Sequence, residues 1–139
     1  MNKNVELDEI IRDENITILN TTCPECGSIS LMTNDGDCYI GIDDSTEMTS
    51  EELLVHKAHE VGHCVNGAFY NKYAKFDVVS KHEHTADKWA IKMLIPEDEL
   101  IEMFEKGLTE TWELAEYFDV TEEFMIKACE FYGYYHRAI

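Results

Sequence analysis

The sequence predicts an α+β fold in one domain, with a helix and a small antiparallel sheet in the N-terminal third and helices throughout the remainder. Three observations lead to this. The turn-forming run "NDGD" (34–37) separates two strand-like segments, the apolar period becomes helical at Thr49, and three helical segments with start and stop signals follow Pro96. At 139 residues the chain fits one domain, and its 45% hydrophobic content with only two prolines argues against linkers. Three subregions are expected: 1–48 with the first helix and the sheet, 49–96 with two central helices, and 97–139 as an acidic helical part.

Val5, Leu7, Ile10 and Ile11 fall near one side of a short helix over residues 5–13. "ITIL" (16–19) is β-branched and reads as a strand. Residues 28–33 and 37–43 flank Asn34, Asp35 and Gly36 and read as a hairpin. In "TSEE", Thr49 and Glu52 have the spacing of a capping box, and Leu54, Ala58, Val61 and Val65 then recur on one helical face. Residues 68–80 have no firm period and read as a connector. A second helix is expected over 81–94, ending before Pro96. "PEDELIEMFEKG", "TETWELAEYF" and "TEEFMIKACEFYGYY" supply three shorter helices.

The formal charge of −18, from 29 acidic against 11 basic residues, excludes generic phosphate binding and disfavours anionic membranes. The last two helices have a helix-turn-helix look, yet residues 97–130 hold 12 acidic residues against 2 lysines, which opposes DNA binding. Trp89 and Trp112 are expected in the core. With no signal-type or membrane-spanning apolar run, a cytoplasmic protein is expected. Cys23, Cys26, Cys38, Cys64 and Cys129 are an odd number, so free thiols are expected rather than a disulfide frame. A second metal at Cys23 and Cys26 would need further ligands, for which Cys38 and Cys64 are the available cysteines.

The chemistry lies in "AHEVGH" (58–63). Residues four apart on a helix differ by about 40° around its axis, so His59 and His63 face one way and can share a Zn²⁺ ion. Glu60, one step round, is near enough to take a proton from water at the metal without being a ligand. Downstream, "KHEHTADKWA" offers His82, Glu83, His84 and Asp87. Glu83 and Asp87 are i, i+4, so Glu83 can reach the metal while Asp87 orients a histidine ring from behind. A three-histidine site using His82 or His84 is the alternative. Ser80 and Glu83 also match a capping box, a use of Glu83 exclusive of metal binding. His56 falls on the helix surface or behind the site. His84 and the tyrosines near 70–73 and 132–135 are candidates to stabilise an oxyanion.

"HKAHEVGHCVNGAFYN", followed by "EHTADKWAIKMLIP", resembles the ImmA/IrrE family of metallopeptidases, whose members have HExxH and then E-x-x-A-[ND]-x-x-A leading to an apolar run and a proline. The likeness spans about residues 28–130. It implies a zincin-like α+β fold, with Zn²⁺ on His59, His63 and Glu83, Glu60 as general base and acid, and Asp87 behind the ligands. It also implies a protein substrate, a helix-turn-helix repressor whose cleavage derepresses prophage or mobile-element genes; the acidic charge leaves neither nucleic acid nor membrane as an expected partner. The rival expectation is an antirepressor that binds the repressor stoichiometrically, with zinc serving structure. A closed zinc site would leave Glu60 without a role.

Overall fold

The structure, a computed structural model, describes residues 2–22, 26–43, 45, 47–71 and 73–134. In chain order the elements are α1 (Lys3–Asp13), β1 (Thr17–Asn20), β2 (Ser28–Met32), β3 (Cys38–Ile42), α2 (Ser50–Asn66), α3 (Phe76–Leu94), α4 (Glu97–Glu105), α5 (Thr111–Phe118) and α6 (Glu122–Tyr132). This is the expected α+β arrangement of a small sheet and six helices. No helix among the described residues is long and apolar enough to cross a membrane.

The hairpin forms where its turn residues predict it. Gly36 takes φ +87°, and Thr33 and Asp37 close the turn with a 2.9 Å backbone bond. The sheet as a whole departs from the antiparallel expectation. Its order is β1-β3-β2, with β2 antiparallel to β3 but β1 parallel to it. The physical reason is that β1 joins the outer side of β3 rather than of β2, and two chain reversals leave β1 and β3 pointing the same way. The arrangement makes β2 an edge strand, and β2 packs against α2.

At α2 the capping box is complete. Thr49 Oγ1 accepts from the Glu52 N–H at 3.1 Å and Glu52 Oε1 from the Thr49 N–H at 3.3 Å, and Gly67 ends the helix at φ 61°. Its inner face buries Leu54, Ala58 and Val61 in a core shared with Leu7, Ile40, Ile91, Leu94, Leu114 and Met125. α3 starts five residues before the expected position. Phe76 and Val78 in its first turn are 86% and 40% exposed, so no buried face marks that turn in the sequence. Ser80 and Glu83 therefore lie within α3, and the capping box considered for them does not form. Trp89 is half-buried against the core as expected, whereas Trp112 is exposed.

α2 and α3 pack closely because small residues meet. A Cβ on Gly62 would lie 2.7 Å from the Ala86 carbonyl oxygen, and Ala86 and Ala90 are fully buried. Backbone cannot yield as a side-chain tip can, so Gly62→Ala forces the helices apart. We expect a net loss of about 1–2 kcal/mol in urea unfolding, since overpacking at about 1–3 kcal/mol outweighs alanine's helix preference of up to about 1 kcal/mol. An unchanged or raised stability would mean that the two helices can slide apart freely.

The cysteines also depart from expectation. Cys38 at the start of β3 and Cys64 in the last turn of α2 form a disulfide, with Cα atoms 6.0 Å apart. They are 26 residues apart, and the proximity comes from packing the sheet on α2, which no local spacing foretells. Cys26 is also disulfide-bonded, while Cys129 is a free, buried thiol. Cys23 lies outside the described residues, and with it half of the CxxC considered for a second metal.

Candidate metal centre

The α2–α3 contact brings the two sequence motifs together. From α2, His59 Nε2 and His63 Nε2 lie 3.2 Å apart. From α3, Glu83 places Oε2 2.8 Å from His59 Nε2 and Oε1 3.2 Å from His63 Nε2. His59, Glu60 and His63 also form a group able to hold a metal ion, their ligand atoms all within 4.8 Å of one another.

The second nitrogen of each ring is engaged. His63 Nδ1–H donates to the Ala68 carbonyl at 2.5 Å, and His59 Nδ1–H donates to Asp87 Oδ1 at 2.7 Å. A neutral imidazole so bonded turns its lone pair outward at Nε2. Two lone pairs and a carboxylate thus converge, an arrangement that repels itself unless a proton or a cation lies between. The donor set of two imidazoles and a carboxylate suits zinc, and the residues fit a metal.

These side chains also shift one another's titration. Burial lowers the His59 pKa, but the Asp87 hydrogen bond and charge, with Glu60 and Glu83 adding, outweigh it and leave it raised. Burial pushes Glu83 and Asp87 upward, yet both end below their ordinary values. For Glu83 the Tyr70 hydrogen bond and the histidines dominate, and for Asp87 His59 and Lys127 do. A raised histidine stabilises the fold below its ordinary value of 6.5 and loses that contribution as pH rises through the raised value. Lowered carboxylates stabilise above their ordinary values, 3.8 for Asp87 and 4.5 for Glu83, and lose it as pH falls through the lowered ones. The site thus stabilises the metal-free protein most between pH 4.5 and 6.5. Chelator-treated protein should unfold at lower urea in mildly alkaline buffer than within that window, and Asp87→Asn should flatten the difference. A wild-type profile as flat as the variant's would refute the linkage.

Glu60 is buried beside the histidines and receives two hydroxyl groups from β2. Ser28 Oγ–H donates to Oε2 at 2.7 Å and Ser30 Oγ–H to Oε1 at 2.9 Å. His56 Nδ1 lies 2.9 Å from Ser28 Oγ, which puts this histidine one residue removed from Glu60 in the hydrogen-bond chain, and its side chain borders the same cleft. Tyr70 Oη–H donates to Glu83 Oε1 at 2.6 Å, a bond that with burial pushes the phenol up to about 12. Lys127 on α6 reaches Asp87 Oδ2 at 3.2 Å. His82 stacks beside Tyr70 with ring centroids 6.1 Å apart.

These groups border an open cleft of about 460 Å³, whose described lining includes Cys26, Ser28, Ser30, His59, Glu60, His63, Phe69, Tyr70 and Glu83. His84 is not among the described residues lining it; its ring instead lies 6.4 Å from that of Phe131. Tyr132 and Tyr134 donate elsewhere, to the Ile95 carbonyl and to Glu97. Sequence reasoning missed Ser28, Ser30 and Lys127. The serines' alternation on a strand, which puts both on one face, was the available signal. For Lys127 there was none beyond its being one of two lysines in an acidic stretch.

Residues 40–130 match the family model described as Peptidase M78, IrrE N-terminal-like domain. No curated protein and no solved structure matches the chain significantly.

Proposed function

The chain belongs to the IrrE N-terminal-like domain family of metallopeptidases, and from that premise we propose a cytoplasmic, zincin-like zinc endopeptidase that cleaves a helix-turn-helix repressor and so derepresses prophage or mobile-element genes. The observation that supports it most is the convergence of His59 Nε2, His63 Nε2 and the Glu83 carboxylate beside a separate buried carboxylate, Glu60. His59, His63 and Glu83 would hold the ion, with Asp87 and the Ala68 carbonyl fixing the rings. Zinc there supplies Lewis acidity, which activates water and polarises a carbonyl.

Glu60 accepts the proton of the attacking water and later returns it to the leaving amine. Tyr70 is the donor for the developing oxyanion, its one hydroxyl proton turning to it from Glu83 Oε1. Its hydroxyl is already at the Glu83 carboxylate, and its side chain lines the cleft, whereas His84, Tyr132 and Tyr134 have their contacts elsewhere and Tyr135 lies outside the described residues. Tyr70→Phe should lower kcat about 10²–10³-fold, the usual effect of losing one oxyanion donor, with KM and zinc content little changed. An unaltered kcat would remove Tyr70 from the chemistry. The exposed edge of β2 lets an extended segment of substrate pair alongside the cleft.

The direct test is co-expression with the helix-turn-helix repressor encoded nearest to the gene, followed by intact-mass measurement of that repressor. A discrete cut by wild type that is absent with Glu60→Gln supports the peptidase. A stable, uncut complex at full zinc occupancy would favour stoichiometric antirepression instead.

A further inference from the structure

Glu60 raises a question that its position beside two histidines creates. A carboxylate with one oxygen within 4.8 Å of both imidazole ligand atoms is itself a metal donor by chemistry. Bound as a fourth ligand, it would close the site and could no longer act as a base.

Ser28 and Ser30 sit two apart on β2, so both point from one face of the strand toward α2. Each binds a different oxygen of Glu60, at 2.7 and 2.9 Å. Two donors on two oxygens fix the carboxylate plane as well as its position. Ser28 is 4% exposed and Glu60 7%, so water competes little for the bond between them. A serine hydroxyl has one proton, and that of Ser28 is committed to Glu60. His56 must therefore donate from Nδ1 to Ser28 Oγ, which sets its tautomer and holds the hydroxyl turned toward the carboxylate.

We propose that Ser28 and Ser30 are positioning residues that hold Glu60 on the β2 side of the cleft, keeping it a base and preventing it from becoming a metal ligand. The proposal rests on the peptidase reading for its catalytic consequence but not for its effect on metal affinity. The edge strand thus acts through Glu60 on what the metal can bind.

The test is zinc affinity of the chelator-stripped full chain, measured by competition with a fluorescent chelator, for wild type and Ser28→Ala/Ser30→Ala, each with Glu60 and with Glu60→Gln. Freed from the serines, Glu60 joins the ion, so the double variant should bind zinc about tenfold more tightly, the scale of effects from groups behind metal ligands. The gain should vanish in the Glu60→Gln background. Cobalt(II) absorption should change in the double variant alone, and kcat should fall about 10–100-fold with KM nearly constant.

Ser28→Thr/Ser30→Thr keeps both hydroxyls and should return the wild-type cobalt spectrum. If the double alanine variant fails to fold, Ser30→Ala, at a half-buried site, should give a smaller shift of the same sign. Unchanged or weaker zinc binding, or a gain that persists with Glu60→Gln, would overturn the proposal. A wild type that binds zinc but cuts no repressor would instead defeat the peptidase reading, leaving the affinity comparison to judge the serines.

Discussion

Glu60→Gln is expected to lower the proposed repressor cleavage by about 10²–10⁴-fold, the range associated with loss of a general base, while zinc content and unfolding stay close to wild type. The amide keeps the shape of the carboxylate but does not accept a proton usefully at neutral pH. Its oxygen can still receive one serine hydroxyl, and its NH₂ can donate to the other once that hydroxyl turns, so the buried network with Ser28 and Ser30 remains satisfied. A catalytic defect without a structural one is therefore the expected signature. Full cleavage by the variant would remove Glu60 from the mechanism.

His63→Ala should release the metal. His63 is 4% exposed and tied at Nδ1 to the Ala68 carbonyl, so its ring is held in place before any ion arrives. With the three proposed ligands sharing a binding free energy of about 10 kcal/mol, losing one removes on the order of 3 kcal/mol, or about 10²-fold in affinity. The substitution also empties a buried space beside Phe69, so some loss of stability should accompany it. Chelator competition would read the affinity directly. Undiminished zinc binding would show that His63 is not a ligand and would reopen the choice among His59, Glu60, Glu83, His82 and His84.

The parts of the molecule legible in the sequence are those whose cause is local. The Thr49–Glu52 box, the turn at Gly36 and the i, i+4 pairs His59/His63 and Glu83/Asp87 are each set by neighbours within a turn or two of chain. What escaped notice depends on distant partners. β1 is parallel to β3 because of where it docks, Cys38 meets Cys64 because the sheet lies on α2, and Lys127 meets Asp87 across 40 residues. The early start of α3 was missed for a different reason: a helix turn whose side chains face solvent shows no apolar period. Trp112 is the reverse case, a large aromatic whose size suggested the core and whose position on α5 leaves it outside.

The same family pattern gains a physical reading from the fold. The alanines of "EHTADKWA" are Ala86 and Ala90, both fully buried, and Ala86 meets Gly62 of "HEVGH" at the point where the helices touch. Bulk at either place would separate the Glu83 carboxylate from the histidines. The small residues thus serve the chemistry by distance alone.

The bridge between Cys38 and Cys64 closes a covalent ring that contains all of β3, the link to α2 and nearly all of α2, including His59, Glu60 and His63. A peptidase is exposed to its own activity, and a cut inside this ring would not divide the molecule. The nicked chain would gain only the mass of one water and travel as a single species until a reductant opened the ring into two fragments.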